Sequence, residues 1–205
     1  MQSIAAQLLD CKAARIPTML TASYLANHLL IAMPGLDDPN FARGVTLLCQ
    51  HSADGALGIV VNRLSQYSLG EVLEQMNIST SVPGLADTPV YAGGPVQTDR
   101  GFVVHEPFAG FDSTFRVSDQ VSVTTSRDVL AAMAQGRGPQ RALVALGYAG
   151  WGAGQLEDEI KQNSWLSVPA SPSILFSTPL EARWTSAAML AGVDMRLLTD
   201  YAGHA

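Results

Sequence analysis

Short apolar runs separated by turn-forming residues dominate the chain from residue 25 onwards. The runs at 28–33, 45–50 and 56–62 are bounded by Gly, Pro, Asn, Asp or Ser, which is the pattern of strands buried in a sheet. A turn at 52–55 joins the second run to the third, so we predict an antiparallel hairpin there. Further runs of the same kind predict strands at 90–92, 101–105, 115–117, 121–124, 142–146, 165–168 and 174–176.

Three other segments carry an apolar stripe with the spacing of an amphipathic helix. Ser68 is a good N-cap for the first of these, which extends to residue 77. Ser126 caps the second, over 127–135, and two glycines stop it. Pro179 opens the third, which extends to residue 191.

A glycine-rich segment at 147–154 connects the apolar run at 142–146 to a fourth, acidic helix. Free N–H groups at a helix start can bind an anion, so a phosphate site is one interpretation of this segment. The spacing is not that of a dinucleotide-binding loop, and three acids in the first helical turn would repel a phosphate. A tight turn required for packing around Tyr148 and Trp151 is the favoured alternative.

Hairpins dominate the first half of the chain and strand–helix–strand units the second, with about eight to ten strands and four helices in all. This order predicts a mixed α/β (α+β) fold, in which a central mixed sheet has the helices packed on it. Residues 1–22 read as an N-terminal extension that is poorly packed or partly helical, because their short helical pattern ends at Pro17. Residues 23–205 are predicted to form a single domain.

Charge and composition exclude several classes of function. The 205 residues carry 18 acids against 12 bases and a net charge of −6, so direct DNA binding is disfavoured because phosphate neutralisation needs a basic surface. The apolar runs fall short of the roughly 20 residues that cross a membrane. Asp10 and Lys12 stand where a signal peptide needs an apolar core. We therefore expect a cytoplasmic protein without membrane contact, whose two cysteines are thiols.

Candidate chemistry is sparse and stays open between alternatives. Cys49 and His51 lie two apart on a predicted strand, hence on one face, and could form a metal site with His105, although a packed thiol beside a hydrogen-bonded histidine is favoured. A hydrolase-type enzyme would use His51 or His105 as general base with Glu157 or Glu159 nearby. No nucleophile elbow or HExxH motif supports that alternative.

The order and the amino-acid sequences of several motifs resemble those of the AlgH/YqgE family of bacterial proteins. The motifs are LANHLLIAMPGLDDPNF, CQHSADGALGIVVNR, YAGGPVQTDRGFVVH, TTSRDVL, LGYAGWGAGQLEDEIKQNSWL and LFSTPLEARW. The resemblance covers residues 25–205 and implies a compact domain whose mixed sheet curls partly on itself, a cytosolic location and no cofactor. The family name comes from a link to regulation of alginate synthesis, and the resemblance implies no particular reaction.

Function is therefore predicted as non-catalytic: a regulatory or ligand-binding protein, linked through the resemblance to transcriptional regulation of alginate exopolysaccharide synthesis. We expect an unknown small ligand or a protein partner, no metal, no catalytic residues, and a monomer or weak oligomer. Arg100 could offer a planar fork to a carboxylate or phosphate, or could instead tie down its own loop. Polar and glycine residues at predicted strand ends and loops define the expected crevice: Asn62, Gly93, Gly94, Arg100, Trp151 and Gln155.

Overall fold

The computed structural model describes residues 24–108, 110–195, 197 and 198, so the predicted extension 1–22 lies outside the described residues. Ten strands and five α-helices are found in this described part. The strands are β1 (His28–Ala32), β2 (Val45–Ser52), β3 (Gly55–Val60), β4 (Leu64–Ser68), β5 (Pro89–Ala92), β6 (Val96–His105), β7 (Thr114–Arg116), β8 (Ser122–Thr124), β9 (Ala142–Gly152) and β10 (Trp165–Pro169). The helices are α1 (Leu69–Gln75), α2 (Arg127–Ala134), α3 (Gln155–Lys161), α4 (Pro172–Phe176) and α5 (Arg183–Leu190), with a 3-10 turn at Leu180–Ala182.

The strands form one mixed sheet in which β9 is central. The main order is β10-β1-β2-β3-β9-β6-β8-β7, while β5 pairs with β9 and β4 pairs with β5. All neighbours are antiparallel except β5 and β9, which run parallel. Register shifts in the β2–β3 and β6–β9 pairs bend the sheet. The predicted mixed α/β fold with a curled sheet is confirmed.

Alternate residues of the strands contribute to apolar clusters on opposite faces of the sheet. On β1, Leu29 and Ile31 belong to the largest cluster, which α4 and α5 cover. Leu30 and Ala32, from the same strand, belong to a cluster under α3 on the other face. A third cluster lies under α1 and α2, where Val103 and Val144 contribute from β6 and β9. Helices therefore pack on both faces, and α1 and α2 share one end of the sheet.

The helix signals in the sequence were accurate where they were local. Ser68 caps α1 through a complete capping box with Glu71, whose side chain accepts a hydrogen bond from the Ser68 N–H at 2.7 Å. Ser126 is the N-cap residue of α2 as predicted, but its hydroxyl is bonded to Asp128 rather than to the helix backbone.

Two predicted elements were wrong. Most of the glycine-rich segment is not a turn, because β9 continues through Gly152 and the turn is reduced to residues 153 and 154. The apolar trio at 174–176 belongs to helix α4, because Pro172 occupies its first turn and fixes a helical φ. The structure thus has one more helix and a longer central strand than the sequence indicated. No helix in the described part of the chain is long and apolar enough to cross a membrane.

Candidate functional site

The two glycine-rich segments that were expected to form a crevice do meet, but they meet backbone against backbone. A Cβ atom at Gly93 would lie 2.4 Å from the Gly147 carbonyl oxygen, and one at Gly94 would lie 2.2 Å from the Tyr148 carbonyl carbon. Gly93 also donates its N–H to Leu146 O at 2.7 Å. The glycines therefore allow a close approach of two chain segments and leave no space between them for a ligand.

Trp151 and Gln155 belong to a network organised by one carboxylate, that of Glu159 on α3. Its Oε2 accepts the indole N–H of Trp151 at 2.8 Å and that of Trp165 at 2.7 Å. Its other oxygen accepts from Gln155 Nε2 at 2.9 Å, while Gln155 Oε1 accepts the Gly152 N–H at 3.0 Å. Both indoles are buried, so this network fastens α3 to β9 and β10 through satisfied buried donors.

The other two predicted residues lie elsewhere. Asn62 accepts from the Val45 N–H at 2.7 Å and donates to Arg43 O at 2.8 Å, so its amide holds the turn before β2. Arg100 lies within β6 rather than in a loop, with its guanidinium 5.3 Å from the centre of the Phe102 ring and one N–H donated to Gln97. The six predicted residues thus fall into four separate places: the glycine contact, the Glu159 network, Asn62 and Arg100.

A β-bulge separates Cys49 from His51. Their two-residue spacing predicted a common face, but the β2–β3 register shifts between Leu48 and Gln50, which resets the alternation. Cys49 consequently packs in the cluster under α4 and α5, whereas His51 reaches Glu157 on α3. Burial raises the pKa of the Cys49 thiol well above its ordinary value, which keeps it protonated. The described residues contain no group of three His, Cys, Asp or Glu placed to hold a metal.

His51 has hydrogen-bond partners on both ring nitrogens. The Leu25 N–H donates to Nδ1 at 2.9 Å, so Nδ1 is an acceptor and Nε2 carries the proton that is donated to Glu157 at 2.8 Å. The side chain is 3% exposed. Glu157 therefore lies beside His51 as the enzyme alternative required, but neither ring nitrogen is left to take a proton from a substrate.

His105, at the end of β6, also has both ring nitrogens in hydrogen bonds, and it lies beside the end of β9 that is opposite to His51. Its Nδ1 is bonded to Glu106 O at 2.5 Å, and a carbonyl can only accept, so Nδ1 carries the proton. Nε2 then accepts from the Thr124 hydroxyl at 2.8 Å, and Thr124 in turn is 2.6 Å from the Thr114 hydroxyl. Burial lowers the pKa of this imidazole, with partial opposition from the Glu106 carbonyl. His105 is a neutral, structural histidine.

A cleft of about 530 Å³ opens between α1 and α2 over β6 and β9. Its floor is apolar and comes from the cluster shared by those elements: Val72, Met76, Val103, Leu130, Val144 and Leu146. Arg127 closes one side, because its Nη2 donates to Met76 O at 2.8 Å across the gap between the helices. An apolar floor of this size with a polar margin is the usual form of a small-molecule site.

Polar side chains at the margin of the cleft have been left without internal partners. In the part of the chain that the structure describes, none of their side-chain atoms takes part in a hydrogen bond or ion pair. They are Gln66, Gln75, Thr98, Asp99 and Thr125. Sequence reasoning missed this cleft; the available signals were the two capped helices at 69–75 and 127–134 and the polar residues beside Arg100.

Comparison with known proteins gives consistent matches along the domain. A family model described as AlgH-like matches residues 29–196. A UPF0301 protein of Methylococcus capsulatus is 56% identical over 183 residues, covering 89% of this chain and 97% of that protein. One of Xanthomonas campestris is 58% identical over 181 residues, covering 88% and 96%. The solution structure of the AlgH protein from Pseudomonas aeruginosa is similar with a TM-score of 0.74 and 48% identity, covering 91% of this chain and 99% of that one.

Proposed function

Since this chain belongs to the AlgH-like family, whose name by itself assigns no chemistry, we propose that it is a non-catalytic protein that binds a small ligand in the cleft between α1 and α2. A regulatory role, in which the bound ligand changes an interaction with a protein partner, is part of this proposal, as is a cytoplasmic location. The link to alginate synthesis that the family name carries is one setting for such regulation.

One observation carries the proposal: the cleft combines an apolar floor with unpartnered polar side chains that converge on its margin. Elsewhere in the fold, the polar groups of the predicted crevice are bonded to one another or to the backbone. Gln75 approaches the cleft from α1, Thr125 from the short segment between β8 and α2, and Asp99 from β6. These groups can fix the orientation of a ligand whose apolar body covers Leu130 and Val144.

The same geometry argues against hydrolysis as the activity of this cleft. General acid–base catalysis needs a side chain within hydrogen-bond reach of the proton it moves. Thr124 lines the cleft and contacts His105, but that imidazole is neutral with both nitrogens bonded. Asp99 is a lone carboxylate there, without a partner that would make it a nucleophile or a base in the described structure. Binding is the function that these groups support best.

The test compares wild-type protein with a variant whose cleft is filled. Gln75→Trp places a large side chain at the margin, and Glu74→Trp is the matched control, because Glu74 is exposed on the same helix but does not line the cleft. Binding of the fluorescent probe 1-anilinonaphthalene-8-sulfonate and of a metabolite library is measured by fluorescence and ligand-observed NMR. We expect Gln75→Trp to abolish saturable binding and Glu74→Trp to retain it. Equal affinities in all three proteins would remove the cleft as the binding site.

A further inference from the structure

A second cavity, of about 680 Å³, lies on a different part of the surface, between the turn before β2, the segment after β3 and helix α5. It contains one of the residues that the sequence singled out, Asn62. The polar side chains around it are Arg43, Asn62, Arg63, Glu181 and Thr185. It is independent of the cleft between α1 and α2, with which it shares no lining residue.

Guanidinium groups are concentrated at this cavity in a protein of net charge −6. Arg43 and Arg63 line it, and Arg183 lies directly behind, because its guanidinium donates to the carbonyl of Val61, the residue before Asn62. Among the described residues, no carboxylate lies within 4.0 Å of any of the three guanidinium groups. Positive charge is therefore gathered here and left without an ion-pair partner.

The fold holds these arginines in place through hydrogen bonds to the backbone. Asn62 fixes the turn by donating to Arg43 O and accepting from the Val45 N–H, and Arg43 has a left-handed φ of 54° within that turn. Arg63 donates to Pro39 O at 2.5 Å and to Ala42 O at 3.0 Å. Backbone strain at a non-glycine residue persists only where its surroundings impose it, so the position of Arg43 is a built feature of the cavity.

The two arginines that line the cavity, Arg43 and Arg63, still have donors to offer. A guanidinium has about five N–H groups in a planar fork, and Arg63 uses two of its nitrogen atoms in the two bonds to carbonyls. The side chain of Arg43 donates no hydrogen bond within the described part of the chain and lies 5.5 Å from the centre of the Trp184 ring. This cation–π contact holds the guanidinium at the cavity wall, and its N–H groups remain available to an anion.

We propose that this cavity binds the phosphate group of a small phosphomonoester. Two guanidinium groups line the cavity and a third, that of Arg183, lies behind its wall, against the single lining carboxylate of Glu181. The cavity is therefore positively charged overall, and a phosphomonoester carries about −1.5 to −2 at pH 7. A carboxylate, with about half that charge, would neutralise less of the positive charge of the three guanidinium groups. The volume accommodates the phosphate together with a small organic group, which would lie against Leu64 and Leu180.

Titration with inorganic phosphate and with phenyl phosphate, followed by amide NMR of the full chain at constant ionic strength, tests the proposal. We expect saturable shifts at residues 42–44, 62–64 and 181–185. Arg43→Gln should weaken binding roughly tenfold or more through loss of a charge-assisted contact, and Arg43→Lys should weaken it less because the charge remains. Arg137→Gln is the matched control, since it removes one charge from an exposed arginine that does not line the cavity.

Three results would overturn the phosphate site. The first is shifts that never saturate. The second is equal weakening by Arg43→Gln and Arg137→Gln, which would indicate a general charge effect. The third is shifts confined to residues 98–101 and 124–127, which would move the anion to the cleft between α1 and α2. None of these outcomes touches the binding of apolar probes in that cleft, so failure here is distinguishable from failure of the proposed function.

Discussion

Replacing Glu159 tests whether Trp151 and Gln155 are structural residues or members of a ligand site. The carboxylate of Glu159 accepts the indole N–H groups of Trp151 and Trp165 at 2.8 and 2.7 Å, and both rings are almost completely buried, at 7% and 4% exposure. In Glu159→Leu the two indole donors lose their acceptor while the surrounding apolar cluster keeps its shape. In Glu159→Gln one amide oxygen remains to accept them, but the charge is lost.

The magnitude follows from the number of donors left unpaired. A buried unsatisfied donor costs about 1–3 kcal/mol, and two of them would cost about 2–6 kcal/mol. Glu159 itself is partly exposed, so water reaches part of the network and the lower half of that range applies, about 3 kcal/mol. For a domain of this size that loss lowers Tm by roughly 6–12 °C. Glu159→Gln keeps an acceptor and should cost about 1 kcal/mol.

Urea denaturation monitored by tryptophan fluorescence measures these differences, with Glu74→Leu as the control. Glu74 is exposed on helix α1, and none of the hydrogen bonds or ion pairs of the described structure involves its side chain. The indole N–H resonances of Trp151 and Trp165 should shift in Glu159→Leu, whereas that of Trp184, which donates to Ala32 O at 2.8 Å, should not. If Glu159→Leu is within about 0.5 kcal/mol of Glu74→Leu, the network does not stabilise the fold, and Trp151 and Gln155 return as candidate ligand residues.

Two further predictions concern groups that the sequence singled out. Gly94→Ala should destabilise the protein by about 3 kcal/mol or more, because its Cβ would lie 2.2 Å from the carbonyl carbon of Tyr148, whereas Gly84→Ala meets no atom within 4 Å and should cost less; equal urea midpoints would contradict this. Burial lowers the pKa of His105, so as the pH falls the unfolded chain binds a proton at this residue at a higher pH than the folded protein does. The contribution of His105 to the free energy of unfolding is therefore complete above about pH 6.5 and is lost as the pH decreases through that value towards the lowered pKa. The urea midpoint of wild type should therefore drop more between pH 7.5 and 5 than that of His105→Gln, and parallel profiles would show that His105 contributes nothing to the pH dependence.

Local signals in the sequence predicted the fold where a few adjacent residues decide the structure. Ser68 and Glu71 form a capping box three residues apart, so α1 could be placed from sequence alone. The bulge at Cys49 depends instead on how β2 pairs with β3, and that pairing is not written in the alternation of β2 itself. The apolar trio at 174–176 is too short to distinguish strand from helix by periodicity, although Pro172 in the first turn was an available signal.

The sites were harder to predict than the elements because they depend on which elements become neighbours. The glycine pair at 93–94 and Gly147 lie against each other in the structure, yet glycine allows both an open loop and a close backbone contact, and the sequence does not distinguish these. The cleft exists because α1 and α2, 51 residues apart at the Arg127–Met76 contact, pack side by side on one face of the sheet. That adjacency follows from the pairing of β5 with β9 and of β8 with β6, which no local pattern fixes.

A physical distinction separates the motif around β9 and α3 from the residues that we propose bind ligands. The motif around β9 and α3 uses its polar groups internally: Gln155 bonds Gly152 and Glu159, and Glu159 bonds two indoles. Buried polar groups that are satisfied by the protein have no capacity left for a partner molecule. Substitutions in this motif should therefore report on folding, whereas Gln75 in the cleft and Arg43 in the second cavity retain unused hydrogen-bonding capacity. Because each can be changed without breaking an internal side-chain hydrogen bond, binding defects in these two variants should appear without a loss of stability.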